Sequence, residues 1–152
     1  MKAVTIIKAA SIISAVLFAQ IAFAKCESGS KTVFSCLTAK GKQIEVCDAG
    51  KTIEYSFGKP KGKPEIVIKV PRSEASTSQW NGIGRYQSYS VDIPNGNTTY
   101  NIFWSLYRLN NDQHAIEAGV NVIINNKQAA TVKCSGGNIE QNLEGIDLKT
   151  AE

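Results

Sequence analysis

Residues that could do chemistry are few in this chain and widely spaced. His114 is the only histidine, and a serine or cysteine nucleophile needs a histidine base oriented by a third group. No G-x-S-x-G elbow occurs in the chain, and His114 opens an alternating apolar stretch, so its imidazole reads as solvent-facing or hydrogen-bonded. Glycoside cleavage would need two carboxylates flanking one bond. Glu54, Glu65, Asp92 and Glu117 are the candidates, and no spacing brings any two of them together. Asn81-Gly82-Ile83-Gly84 holds a lone G-x-G with no helix to follow it. The cysteines, Cys26, Cys36, Cys47 and Cys134, include no C-x-x-C pair, and a single histidine cannot complete a zinc set. The expectation is a non-enzyme without metal or cofactor, and the residues that remain to be explained are those that staple and those that bind.

The cysteines take their meaning from the start of the chain. Met1-Lys2 and Lys8 precede an apolar run over 9–23 that ends in Ala22-Phe23-Ala24, the three parts of a secretory signal peptide. Residues 1–24 are expected to be removed, with Lys25 the first mature residue. Lys25 stands directly before Cys26, which does not fit the small-residue box of lipoprotein processing, so no membrane anchor is expected after cleavage. The predicted location is periplasmic or secreted, in a bacterium. Lys2 and Lys8 leave with the leader, so 15 basic residues face 13 acidic ones and the net charge falls from +4 to +2. Such a weak positive charge argues against a nucleic-acid partner.

In an oxidising compartment four cysteines imply two disulfides, with three possible connectivities. One connectivity has a geometric argument. A hairpin turning at Lys40-Gly41-Lys42-Gln43 sets Cys36 opposite Cys47, and a cross-strand bridge is feasible there. Cys26 and Cys134 would then tie the ends of the domain, closing the longest loop.

The elements that position everything else are strands. Asn95-Gly96 is the strongest turn signal in the chain, and taking those two residues as the loop pairs Ile93 with Thr98, Val91 with Tyr100 and Tyr89 with Ile102. One face of this hairpin collects Tyr89, Val91, Ile93, Tyr100, Ile102, Trp104 and Leu106, and the other collects Ser88, Ser90, Asp92, Thr99, Asn101 and Ser105. Strands are also expected over 51–57, with Ile53, Tyr55 and Phe57 on one side, over 65–70 ended by Pro71, and over 114–124, where apolar residues recur at every second position. A three-residue turn, Asn125-Asn126-Lys127, would put Val122 opposite Ala130 and Val120 opposite Val132. Residues 72–83 read as a long polar loop. Ile139, Leu143 and Ile146, at helical spacing in an acidic stretch, read as a short helix or frayed tail over 138–152. The sum is one all-β domain over 25–137, an antiparallel sandwich or small barrel of about eight strands, stapled by disulfides.

Within this frame the unexplained residues are aromatic. Tyr86 and Phe103 fall on the outward face of the central hairpin, with Tyr107 beyond them, so either a second layer covers them or they form a recognition patch. Trp80, near the end of the long loop, either folds back on the core or anchors a partner. Trp80, Arg85, Tyr86, Phe103 and Tyr107 are therefore the candidate partner-binding residues, aromatic and arginine side chains being those that dominate interface energy. Lys59, Lys61 and Lys63, in a loop of glycines and prolines, read as a solvated turn or a contact for an acidic partner.

Val33-Phe34-Ser35-Cys36, Gly41-Lys42-Gln43-Ile44, Tyr55-Ser56-Phe57-Gly58, Gly119-Val120-Asn121-Val122 and a closing Cys134 resemble a group of small secreted bacterial proteins of unassigned function. The chain is also loosely similar to the periplasmic inhibitors of lysozyme, small β-barrels that place a Ser-Gly-x-Tyr loop in the enzyme's active site. Gly84-Arg85-Tyr86 matches the last three positions, and Ile83 stands where that family has serine. The resemblance implies a non-catalytic protein that neutralises a protein partner, a peptidoglycan hydrolase, as a lysozyme inhibitor or an immunity protein. The alternative expectation is a β-barrel carrier holding a small ligand or glycan among inward aromatics.

Overall fold

A computed structural model describes residues 26–108 and 114–151. The leader expected over 1–24 lies outside the described residues. The architecture is all-β, two sheets packed face to face. The strands are β1 (Lys31–Leu37), β2 (Gln43–Asp48), β3 (Thr52–Gly58), β4 (Ile66–Pro71), β5 (Ser76–Ser78), β6 (Tyr86–Asn95), β7 (Thr98–Arg108), β8 (His114–Ile124), β9 (Lys127–Lys133), β10 (Glu140–Gln141) and β11 (Lys149–Thr150). The smaller sheet runs β10-β1-β2-β3-β4 and the larger β11-β5-β6-β7-β8-β9. Every pairing is antiparallel except that of β11 with β5.

Alternation makes this sandwich. Phe34, Ile44, Val46, Ile53, Tyr55, Ile68 and Val70 of the smaller sheet and Tyr89, Val91, Ile93, Ile102, Ala118 and Val120 of the larger are buried in one cluster between the layers. Their strand neighbours lie on the outer faces, as the period of two requires, and in β2 these neighbours, Gln43, Glu45 and Cys47, are buried as well. The Tyr55 and Tyr100 rings lie 4.9 Å apart within that core, and Tyr89 stacks on Trp104 at 6.1 Å. The inward aromatics thus pack against one another.

Two registers and one turn differ from the sequence expectation. In the central hairpin Asn95 pairs with Thr98, Ile93 with Tyr100, Val91 with Ile102 and Tyr89 with Trp104. The loop is Gly96-Asn97, with positive φ at Gly96 and not at Asn97, the pattern of a turn that takes glycine first. Asn-Gly-Asn offers both two-residue turns, and a slip of two leaves each side chain on its expected face. At the β8–β9 turn the expected pairs Val122–Ala130 and Val120–Val132 do form. They arise from a two-residue turn, Asn125-Asn126, both with positive φ, followed by a register shift between Val122 and Ile123. In the first hairpin Leu37 pairs with Gln43, Cys36 with Ile44 and Thr32 with Cys47, with a shift between Thr32 and Phe34.

The position of the turn decides the disulfides: Thr38 N–H bonds the Lys42 carbonyl, so the chain reverses at 39–41 and Cys36 falls opposite Ile44. Cys36 and Cys47 are not opposite; the bridges are Cys26–Cys47 and Cys36–Cys134, with Cα separations of 5.6 and 5.8 Å. The expected pairings Cys36–Cys47 and Cys26–Cys134 are both replaced. Cys134 reaches the smaller sheet because β9 ends there: its N–H still bonds the Ala118 carbonyl, while Ser135 N–H bonds the Leu37 carbonyl. Two disulfides place the folded chain in an oxidising environment. Among the described residues no helix is long and apolar enough to cross a membrane.

The tail is not a helix. Glu140–Gln141 extends the smaller sheet beside β1, and Lys149–Thr150 pairs with β5 in the larger. Between them Leu143 is fully buried, and its carbonyl accepts from Gln79 Nε2 at 2.9 Å. Arg72 Nη2 and Nε bond the Asp147 carbonyl at 2.7 and 3.1 Å. The apolar spacing of Ile139, Leu143 and Ile146 comes from a chain that crosses between two sheets. The long polar loop is also shorter than expected, because Ser76–Ser78 forms an added strand with Ala75 and Thr77 buried.

Candidate interaction surface

The outward face of the larger sheet is built in rows. Pairing across β6, β7, β8 and β9 aligns Tyr86–Tyr107–Ala115, then Ser88–Ser105–Glu117, then Ser90–Phe103–Gly119–Lys133, then Asp92–Asn101–Asn121–Thr131. Gly119 is required by a close approach: a Cβ there would lie 2.2 Å from the Val132 carbonyl oxygen. Its bare position also leaves the flank of Phe103 without a neighbouring side chain on β8. A groove of about 430 Å³ follows this face, lined among others by Tyr86, Ser88, Ser90, Asn101, Phe103 and Asn121.

No second layer among the described residues covers the aromatics. Tyr86 and Tyr107 face each other with ring centroids 6.5 Å apart and are 53% and 43% exposed. Phe103 is half-buried two rows further along the same face. Trp80 packs partly against the core, donates its indole N–H to the Ile83 carbonyl at 3.0 Å, and carries the Arg108 guanidinium 5.5 Å from its ring. Its lid role and its place beside a surface patch thus coexist. Arg85 is exposed at the start of β6, and its carbonyl accepts from Arg108 N–H at 3.0 Å. Ile83 stands between Gly82 and Gly84, both at positive φ, and is 76% exposed. Ile116 of β8, 54% exposed, adds a further apolar side chain to this end of the sheet. Four of the five expected residues, Trp80, Arg85, Tyr86 and Tyr107, therefore gather at one end of the sandwich, and Phe103 continues the surface along the groove.

Sequence reasoning did not anticipate Arg108 or Ile83 as part of this patch. Ile116 shares the inward parity of the sheet with Leu106 and is exposed on the face opposite Tyr107. Also missed was Glu45, only 8% exposed on the outer side of β2. Burial, and then the nearby Glu140 carboxylate, push its pKa up to about 6. Glu45 accepts from Gln43 Nε2 at 3.3 Å and lines a cavity of about 340 Å³ with Ser35, Leu37, Ile139 and Glu140. Its carboxylate lies within 4.8 Å of the Cys26 and Cys47 sulfurs, but those sulfurs are bonded to each other and are not thiolates.

The acids weighed for catalysis are each separately engaged. Glu54 pairs with Lys69, Glu65 with Lys42 and Glu117 with Lys133, while Asp92 accepts from Asn101. His114 is exposed at the start of β8 and paired in register with Arg108. No protein-family model, curated protein or solved structure matches this chain.

Proposed function

We propose that this protein is a non-catalytic binding domain of the bacterial envelope, periplasmic or secreted, that engages another protein through the end of the sandwich carrying Ile83, Arg85, Tyr86 and Tyr107. Its concrete form is the neutralisation of a cell-wall-degrading hydrolase, as a lysozyme inhibitor or as the immunity protein against a delivered effector. The observation that carries this reading is the exposure, at one end of a disulfide-stapled scaffold, of a tyrosine pair with a projecting isoleucine and two arginines. Large aromatic and arginine side chains are the usual anchors of protein interfaces, and clustered exposed apolar groups mark interaction sites. The resemblance of Gly84-Arg85-Tyr86 to the inhibitor loop points the same way, since the segment projects at that end of the sandwich. Arg85→Ala combined with Tyr86→Ala should lower affinity for the inhibited hydrolase by at least about tenfold without changing the melting temperature. A lowered melting temperature with unchanged affinity would make both residues structural.

A further inference from the structure

We infer that the groove on the outer face of the larger sheet is a binding site for a neutral, extended oligosaccharide. It rests on the amide row and Phe103, not on the loop and tyrosine pair of the protein-binding reading, although Tyr86 also lines one end of the groove, and its test is independent of that reading. The row Asp92–Asn101–Asn121–Thr131 is a single directed chain of hydrogen bonds. Gln128 Nε2 donates to Thr131 Oγ1 at 2.9 Å, Thr131 Oγ1 to Asn121 Oδ1 at 2.7 Å, Asn121 Nδ2 to Asn101 Oδ1 at 3.0 Å, and Asn101 Nδ2 to Asp92 Oδ1 at 2.6 Å. An ionised carboxylate only accepts, so Asp92 fixes the orientation of both amides. Each amide then keeps a second N–H that bonds nothing among the described residues. The ladder crosses four strands, roughly 14 Å at sheet spacing, and its donors are held in place before any ligand arrives.

Beside this ladder, one row along, lies Phe103, flanked by Gly119 on β8 and by Ser90 on β6. The hydroxyls of Ser88 and Ser90 make no bond among the described residues. A sugar ring presents one face of C–H groups and a rim of hydroxyls that both donate and accept. The first suits an aromatic ring, and the second suits serine hydroxyls and rigid amides. Among the described residues the one cation lining the groove, Lys133, pairs with Glu117 at 3.0 Å, and Asp92 at its edge is bonded by the neutral Asn101 amide. An anionic polymer would find no free cation there, and an apolar ligand would strip water from a row of polar groups. A neutral polyhydroxylated chain meets both conditions.

The test uses the mature protein with both disulfides formed, titrated separately with chitohexaose, cellohexaose and maltohexaose while amide chemical shifts are followed. The expected result is saturable movement of the Asn101 and Asn121 side-chain amides with at least one sugar at millimolar concentration. Phe103→Ala and Asn121→Ala should each weaken that binding by about tenfold or more, with Phe103→Leu replacing Phe103→Ala if the latter does not fold. Val67→Ser, on the other sheet, should leave it unchanged. Absence of saturable shifts with all three sugars, or binding that survives both groove substitutions, overturns the proposal.

Discussion

Glu45 gives the sharpest prediction, because the fold buries a carboxylate on the outer side of a strand and sets a second carboxylate near it. In the unfolded chain Glu45 titrates near 4.5, and in the folded protein near 6, the burial raising it first and Glu140 second. The folded state therefore holds the proton more tightly. Stability from this group is fully present below about pH 4.5 and is lost as pH rises through about 6. The difference is worth roughly 2 kcal/mol, a penalty that the protein carries at neutral pH. Glu45→Gln keeps the shape and an acceptor for Gln43, and it removes the charge. The variant should be more stable than the parent by about 2 kcal/mol at pH 7.5, a melting shift of roughly 5–10 °C for a domain of this size. At pH 4 the two should melt together. Thermal and denaturant unfolding of both proteins, disulfides oxidised, across this pH range reads the difference directly. A gain of equal size at both pH values would refute the reasoning, since it would then come from packing and not from a proton. Glu140→Gln should give a smaller gain of the same sign.

Three further outcomes follow from the fold. Peptide mapping without reduction should recover Cys26 joined to Cys47 and Cys36 to Cys134, and replacing Cys36 and Cys134 by alanine should cost about 1–2 kcal/mol more than replacing the other pair. Their sequence separations of 98 and 21 make the first loop the larger constraint on the unfolded chain. Leu143→Ala should destabilise by about 2–5 kcal/mol in denaturant unfolding, because Leu143 is fully buried; a neutral effect would mean that the tail does not pack. Gly119→Ala should cost about 3 kcal/mol or more, because its Cβ would sit 2.2 Å from the Val132 oxygen; an unchanged melting temperature would show that β9 does not approach so closely.

How far the fold was legible depended on whether burial alternates. The ends of β8, His114–Ile124, are legible in the sequence, because every second residue from Ile116 to Ile124 is apolar. β6 and β7 were assigned to the right faces but slipped by two, since face pattern is blind to an even slip and Asn95-Gly96-Asn97 permits either turn. The disulfide pairing differs for a local reason: the first hairpin turns at 39–41, with Thr38 N–H bonded to the Lys42 carbonyl, so Cys36 faces Ile44 and not Cys47. The tail shows the opposite failure, a helical period produced by three side chains that pack on the core from an irregular segment crossing between the sheets. At the candidate surface Tyr86 and Tyr107 were legible as outward aromatics without a reason to be outward. The amide row was not, because Asp92, Asn101, Asn121 and Thr131 lie on four strands and become neighbours only through register.

The central claim is that the Tyr86 end of the sandwich blocks a cell-wall hydrolase, and one titration tests it most directly. Mature oxidised protein, 25–152, is added to a cell-wall lysis assay run in parallel with several lysozyme types and a bacterial amidase. The account predicts stoichiometric inhibition of one of these enzymes, relieved when Arg85 and Tyr86 are both alanine. Undiminished lysis by every enzyme at a large molar excess, or inhibition unaffected by the double substitution, would contradict it.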